Sequence, residues 1–488
     1  MVVRSLRQVL LWGAMAVVVG CSGDTDSHRR EDAGLDLGER QVFTSALADS
    51  SFLCDCSTHQ ASESHALGMD VHVMLDVDRQ VFYGFGTCMS DGNAAAAMRL
   101  SPERRREAVR MLFSTDGGNG YVFCRVPMGS NDFSTCDYTC VETGDTTLRS
   151  FNIGQDRKNI LPILKLAQES CPTLRFMVSP WSPPAYMKTN GERLHGGKLK
   201  TEYRGQWADC FAKFIKAYAA EGLATEFVTI QNEPQAVQSW ESCIWTGEEE
   251  GEFAVDFLRP RLDEIGLQQV KILCWDHNRD QFAGRARASF GVAGTESALA
   301  GIAHHWYGGD HFEQLDAFHH IHPDKLLVES EFCTGPNKGR TTMPYGVWGD
   351  LELYAHEIIG CLNHFTNVIF DFNAFLDTHA GPYHNRGNGG IPSMVIDGET
   401  GTFTPQPHYY AMAHFSRFIR PGAHIVSAKS SVGSVEVTAA KNPDDSVVCV
   451  VSNGTGTDRK ARLYISGRKT RGDILLPAHS LTTVVVDT

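Results

Sequence analysis

From Tyr121 to Phe418 the chain alternates between two hydrophobic periods. Short apolar or β-branched runs (Tyr121 to Val126, Leu174 to Val178, Phe227 to Ile230, Val270 to Cys274, Gly301 to Trp306, Leu326 to Val328, Val368 to Phe372) suit strands covered on both faces. Between them lie helical stretches. Ser101-Pro102-Glu103 starts one, with Ser as cap and Pro in the first turn. Arg157 to Gln168 is another, and Gly205 to Ala220 spaces Trp207, Phe211, Phe214 and Tyr218 at helical intervals. Thr246-Gly247-Glu248-Glu249 reads as a capping box, and the last helix runs from His408 to Phe418. With a first strand at Gly84-Phe85-Gly86, ahead of which Val71 to Phe85 alternates as a strand pair, the pattern predicts an α/β fold. It is a (β/α)₈ TIM barrel over residues 83–420.

The tail has another rhythm. Val432 to Thr438, Ser446 to Ser452, Ala461 to Ile465 and Leu481 to Val486 are short strands separated by Gly, Asn and Asp turns. They predict an attached all-β sandwich over 421–488, joined by N-terminal strands from 46–82. Asn453-Gly454-Thr455 matches a glycosylation sequon and reads as a turn.

The start of the chain reads as targeting sequence. Arg4 and Arg7 precede the apolar run Val9 to Gly20, which is too short to span a bilayer. Val18-Val19-Gly20-Cys21 is similar to a bacterial lipobox. That similarity implies a signal peptide over 1–20, lipidation of Cys21, and an exported lipoprotein sorted to the outer membrane, with periplasmic or secreted protein as the alternative. Residues 21–45 then read as a polar tether. Of 14 cysteines, 13 remain once Cys21 is lipidated, so they cannot all pair; Cys54, Cys56, Cys136 and Cys140 are the loop candidates for disulfides. The net charge of -14 argues against a nucleic-acid partner, and membrane contact is expected only through the lipid anchor.

Polar clusters close several strands. Gln231-Asn232-Glu233-Pro234 ends the fourth, where Pro234 stops the ladder. Glu329-Ser330-Glu331 ends the seventh. The two glutamates share a strand parity, so both are candidates to point inward, and Glu331 lies nearer the carboxyl end, where barrel active sites sit. A carboxylate pair across a barrel mouth is what glycoside hydrolysis requires. Arg125 on the second strand is the expected counter-charge, while Asp132, Trp181, His305 and Tyr307 lie at other strand ends. His304 and His305 face opposite ways on a strand, so no metal site is expected there, and no cofactor signature is present. Arg386-Gly387-Asn388-Gly389-Gly390 reads as a loop over the mouth rather than a phosphate cradle.

These motifs together resemble glycoside hydrolase family 30, close to its glucosylceramidase branch: Gly84-Phe85-Gly86, Arg125-Val126-Pro127-Met128, Asp132-Phe133-Ser134, Ser179-Pro180-Trp181, Met187-Lys188-Thr189-Asn190-Gly191, Asn232-Glu233-Pro234, His305-Trp306-Tyr307, and Ser330-Glu331 with Cys333. The resemblance implies a retaining exo-β-glycosidase acting on a β-linked glycoside or glycolipid. Glu233 matches the acid/base and Glu331 the nucleophile. Asn232, Asp132, Trp181 and His305 would contact the sugar, Tyr307 would touch the nucleophile, and Arg125 and Cys333 would support them. Phe372 stands where that branch has Trp, and Gln231 where it has Glu, so the sugar is less firmly implied than the mechanism. The alternatives left open are a β-1,6-glucanase, a β-xylosidase or β-fucosidase, and a lipid-anchored glycan-binding protein that cleaves nothing.

Overall fold

A computed structural model describes residues 35–36, 40–58, 67–335, 344–384, 389–466 and 470–487. The lipobox with Cys21, most of the tether stretch and Arg386 to Asn388 lie outside the described residues. Eight parallel strands close a barrel: β1 (Gly84–Cys88), β2 (Phe123–Pro127), β3 (Arg175–Ser179), β4 (Thr225–Thr229), β5 (Lys271–Asn278), β6 (Gly301–His305), β7 (Leu326–Phe332) and β8 (Val368–Asp371), with β8 pairing back onto β1. The rings of Phe123, Phe227 and Phe370 meet across the interior at 5.6 and 5.8 Å. They come from β2, β4 and β8, as expected when alternate strands fill one layer of a barrel.

Local chemistry accounts for the helices that cover it. The Ser101 hydroxyl accepts from the Arg104 amide and caps Pro102–Phe113, which buries Ala108, Val109, Leu112 and Phe113. Thr246 and Glu249 close a reciprocal capping box on Gly247–Phe253. Arg204–Ala220 buries Trp207, Phe211, Phe214 and Tyr218 against the barrel.

The second domain is one ten-stranded sheet, and its order interleaves N- and C-terminal segments. Val42, Val71, Val437, Val451 and Leu463 from well-separated strands share a single core, so the sheet folds over onto itself. Three sequence expectations need correcting. Arg40–Ala46 is a strand paired with Ser480–Val486, although residues up to 45 read as tether. Val71 to Phe85 is not a hairpin pair; Leu67–Phe82 is one long strand, and Gly84, at φ 134°, turns the chain into β1. Ala423–Ser430 and Thr470–Leu476 are further strands. A small sheet of Phe375–Asp377, Met394–Asp397 and Thr402–Pro405 follows β8. Asn453 is buried, and its amide donates to the carbonyls of Thr457, Leu476 and Pro477, which makes it a turn anchor. Cys54, Cys56, Cys136 and Cys140 are all free thiols, and no described cysteine is in a disulfide.

The approach of β1 to β2 is close enough to test. A Cβ on Gly86 would lie 2.5 Å from the Phe123 carbonyl oxygen, which is backbone and cannot rotate away. Gly86→Ala should cost about 1–3 kcal/mol and lower the melting temperature. Gly454→Ala, with nothing within 4 Å of its added carbon, should melt like the parent in the same calorimetric scan.

Candidate active site

The carboxyl ends of the strands surround a cavity of about 370 Å³ lined by Asp132, Phe133, Trp181, Asn232, Glu233, Trp240, His277, Asn278, Tyr307, Glu331, Cys333 and Phe372, among others. Its floor is Arg125, two residues beyond Phe123 on β2 and therefore on the same inward side, one layer up. The guanidinium is fully buried. Its Nη1 donates to Glu331 Oε2 at 2.5 Å. Nη2 donates to Asn232 Oδ1 at 2.8 Å and to Asp276 Oδ2 at 2.9 Å, and Nε to Ser179 Oγ at 3.1 Å. Its other face lies 4.7 Å from the Trp181 ring.

Glu331 also accepts from the Tyr307 hydroxyl at 3.1 Å, and that hydroxyl lies 3.4 Å from Cys333 Sγ. Glu233 has φ 46°, a left-handed conformation uncommon for a non-glycine residue, and its amide donates to the Asp276 carbonyl at 3.0 Å. Gln231 is buried beside it and donates to the Trp181 carbonyl at 2.7 Å. Trp181 and Phe372 stack at 6.5 Å, and Phe133 meets Phe372 edge-on at 5.7 Å, so aromatic faces form one wall.

Two placements differ from the sequence reading. Strand parity put Glu329 and Glu331 on one side, yet His304 and His305, adjacent on β6, face Glu329 and Glu331, which leaves Ser330 as the extra residue of a bulge. Ser330 therefore turns inward to Asp276 at 2.5 Å and Glu331 enters the cavity. Glu329 turns outward, to Arg279 at 3.0 Å and His304 at 2.5 Å. His305 does not line the cavity. It lies behind Glu233, with Nδ1 3.4 Å from Glu233 Oε1 and Nε2 3.0 Å from Asp276 Oδ1.

Asp276, His277 and Asn278 escaped the sequence reading, which ended β5 at Cys274. The signal was present: a polar triplet closes an apolar run, as at Glu233. Ala303 and His304 face Trp275 and His277, so Asp276 is the extra residue of a second bulge, with Trp275 and Asp276 at φ 73° and 55°.

Protonation follows from these contacts. Burial lowers the His305 imidazole, but the Glu331 charge and the hydrogen bonds to Asp276 and Glu233 push it up to about 10. With that imidazolium in place, burial raises Glu233 but His305 and His277 outweigh it, so its carboxyl lies below the ordinary range. Burial and the Glu233 charge, in contrast, raise Glu331. The groups titrate together. Moving the His305 proton across to Glu233 removes both the Glu233 charge that raises Glu331 and the imidazolium charge that lowers it, and Arg125 and Tyr307 remain to favour its ionised form. The direction we stand behind is a proton held between Glu233 and His305 facing an ionised Glu331. Burial, then the charges of Glu331, Glu241 and Glu233, push the Asp132 carboxyl well up, and its buried Oδ1 has no partner.

The family model for the glycosyl hydrolase family 30 TIM-barrel domain matches residues 82–419, and that for the family's beta sandwich domain matches 422–484. Lysosomal acid glucosylceramidase of Mus musculus is 32% identical over 390 residues, 77% of this chain and 75% of that protein. Endo-1,6-beta-D-glucanase BGN16.3 of Trichoderma harzianum is 27% identical over 433 residues, 84% of each. The crystal structure of SrfJ from Salmonella typhimurium superposes with a TM-score of 0.86 at 29% identity, covering 92% of this chain and 99% of that one.

Removing the floor charge gives a prediction with a sign. Arg125 holds Asp276 well below the usual carboxylate range despite its burial. A depressed carboxyl adds stability above its unfolded value, near 3.9, and that stability is lost as pH falls through the folded one. Arg125→Met takes the guanidinium away from two buried carboxylates, Asp276 and Glu331, and should cost about 3–5 kcal/mol at pH 7. In the variant burial is no longer offset and both carboxyls rise, so the loss should shrink toward pH 4 as they protonate, while the parent's Asp276 stays ionised. Urea unfolding midpoints between pH 4 and 7.5 measure it, and a loss independent of pH would contradict the assignment.

Proposed function

The chain belongs to glycosyl hydrolase family 30, and from that premise we propose that it is a retaining exo-β-glucosidase that works by double displacement, with Glu331 as nucleophile and Glu233 as acid and base. The observation that carries the reading is the pairing across one cavity of a carboxylate braced by a guanidinium with a carboxyl backed by an imidazole. Glu331 attacks the anomeric carbon as the bond to the leaving oxygen breaks, and Glu233 gives that oxygen its proton. Esterification removes the Glu331 charge, so the Glu233 carboxyl falls and can take a proton from the incoming water. That water attacks the same carbon, frees Glu331 and leaves the product with the starting anomeric configuration.

The remaining groups have roles consistent with this. Asn232, oriented by Arg125, would hold the hydroxyl next to the anomeric carbon. Asp132, whose carboxyl burial pushes up and whose Oδ1 has no partner, would bond a further hydroxyl, and Trp181 with Phe372 would stack on the ring. Phe372 has no N–H to offer, so the site discriminates weakly at whatever hydroxyl an indole would reach there. The names of the mouse and Trichoderma relatives favour two β-glucosidic substrates, glucosylceramide-like lipids and β-1,6-linked glucans. We also read Cys21 as a lipid anchor of an exported protein.

The two glutamates can be told apart chemically. Glu331→Ala should abolish turnover of 4-nitrophenyl β-glucoside, and added azide, replacing the lost nucleophile, should give the α-glucosyl azide. Glu233→Ala should lose about 10²–10⁴-fold on a substrate whose leaving group needs protonation, and azide should then give the β-glucosyl azide. Glu329→Gln should stay active; if it is dead and Glu331→Gln is not, the assignment is wrong. Cys21→Ser should move the expressed protein from the membrane fraction to the soluble fraction, and unchanged fractionation would remove the anchor.

A further inference from the structure

The aromatic side of the cavity is built by the segments that follow β2, β3, β4 and β8. They supply Asp132 and Phe133, Trp181, Trp240, and Phe372 with Gly390. Outside the cavity the same four segments meet a second time, at Glu241. Its side chain is fully buried, and all its hydrogen bonds converge on Oε1, because the buried Oε2 has no partner. Ser130, from beyond β2, donates its hydroxyl to Oε1 at 2.5 Å. Arg193, from beyond β3, places Nη1 3.5 Å from the same oxygen, and that nitrogen also holds Ser130 Oγ at 2.6 Å and the Asp137 carboxylate. Lys188 donates to the carbonyls of Arg193 and Ser242 and so fastens the segment after β3 to the one after β4. His384, from beyond β8, completes the junction. Its Nε2 lies 2.9 Å from Glu241 Oε1 and its Nδ1 3.1 Å from the Ser134 carbonyl oxygen.

The two partners of His384 fix its proton count. A carbonyl oxygen and a carboxylate oxygen only accept, so both ring nitrogens have to donate, and the imidazolium alone does so. The charged groups facing it are Glu241 and Asp137, with Arg193 paired to both, and Asp132 feels the Glu241 charge from the cavity side. Burial lowers the imidazole, but the Glu241 hydrogen bond and charge outweigh it, so His384 lies above its ordinary value. Burial likewise raises Glu241, and His384 and Arg193 outweigh that, so its carboxyl lies below the ordinary range. The His384 side chain is 10% exposed, which lets water take its proton. A neutral imidazole donates through one nitrogen only, so one of the two bonds is lost and the segment after β8 is released from β2's side or from β4's. Asp132 and Phe133 lie between Ser130 and Ser134, and Trp240 adjoins Glu241. The residues loosened are therefore those that face the sugar.

We propose that His384 is a positioning residue, a cationic clasp that joins the segments after β2, β4 and β8 and tightens sugar binding on the aromatic side, so that binding weakens when the imidazolium loses its proton. The inference rests on reading that side as the seat of the cleaved sugar. Neither Glu233 nor Glu331 is among the clasp's hydrogen-bond partners, so its effect falls on sugar binding rather than on proton transfer.

The test follows KM for 4-nitrophenyl β-glucoside and the inhibition constant of glucose, an uncharged ligand, from about pH 5 to 9 in the parent, His384→Ala and His384→Gln. At the acid end both constants should be roughly tenfold higher in His384→Ala than in the parent, the worth of one hydrogen bond to a charged group, and kcat should fall by less. The sign with pH follows from which form binds sugar. The parent's advantage is complete while His384 is protonated and is lost as pH rises through a value above the ordinary 6.5, so the variant-to-parent ratio should fall toward one. His384→Gln offers an N–H without a charge; it is the second variant should alanine fold poorly, and its ratio should exceed one at the acid end and fall in the same way. A ratio within twofold of one at the acid end in both variants overturns the inference. So does a ratio that stays constant across the range, as a purely structural role would give, or a loss carried by kcat alone. The azide products of the Glu331 and Glu233 variants keep the mechanism standing in those events. No hydrolysis of any β-glucoside overturns both.

Discussion

A guanidinium with no access to water has to be balanced where it stands, and Arg125 is balanced by groups drawn from four different strands and their ends. Ser179 comes from β3, Asn232 from beyond β4, Asp276 from β5 and Glu331 from β7, each within 3.1 Å. Taking such a charge out of water costs several kcal/mol unless its partners are well placed. The strand registers that place them are therefore tied to the barrel's closure. The same contacts set the chemistry: they aim the Asn232 amide, hold Glu331 at the floor, and keep Asp276 ionised so that it can orient His305. Fold and site are joined at this residue.

The barrel was legible in the chain because its strands are short apolar runs between amphipathic helices, and the two periods differ. The ten-stranded sheet was less so. Arg40–Ala46 pairs with Ser480–Val486, more than four hundred residues away in the chain, and no local pattern records such a pairing. In the site, Glu233 and Glu331 could be found because each closes an apolar run with a carboxylate. What failed was parity. The alternation rule holds only while each residue faces one partner, and the bulges at Asp276 and Ser330 break it on β5 and β7. Both bulged residues turn into the barrel and bond each other at 2.5 Å. Glu329, which the sequence reading misplaced, and Asp276, His277 and Asn278, which it missed, sit at these two irregularities, and His305, the other misplaced residue, lies on β6 between the two bulged strands.

Strand β7 carries two buried glutamates, and the contrast between them shows what makes a perturbed acid functional. Burial, resisted by Arg279, raises Glu329 to about 7, a value as suggestive of acid catalysis as any in the protein. Yet Glu329 is enclosed by Arg279, His304, Glu357 and Cys361, and Phe312 covers the guanidinium at 4.5 Å. Arg279 Nη1 already contacts Glu329 and Cys361, two of the three groups that with His304 could otherwise converge on a metal ion. Glu329 is fully buried, so a substrate cannot touch it, and its shift reflects only the burial that Arg279 offsets. Glu331 has the same strand, burial and kind of arginine partner, but it opens onto a space lined by unpartnered polar atoms. A shifted pKa marks both residues alike; access to a cavity, granted by one inserted serine, is what separates a structural charge from a candidate nucleophile.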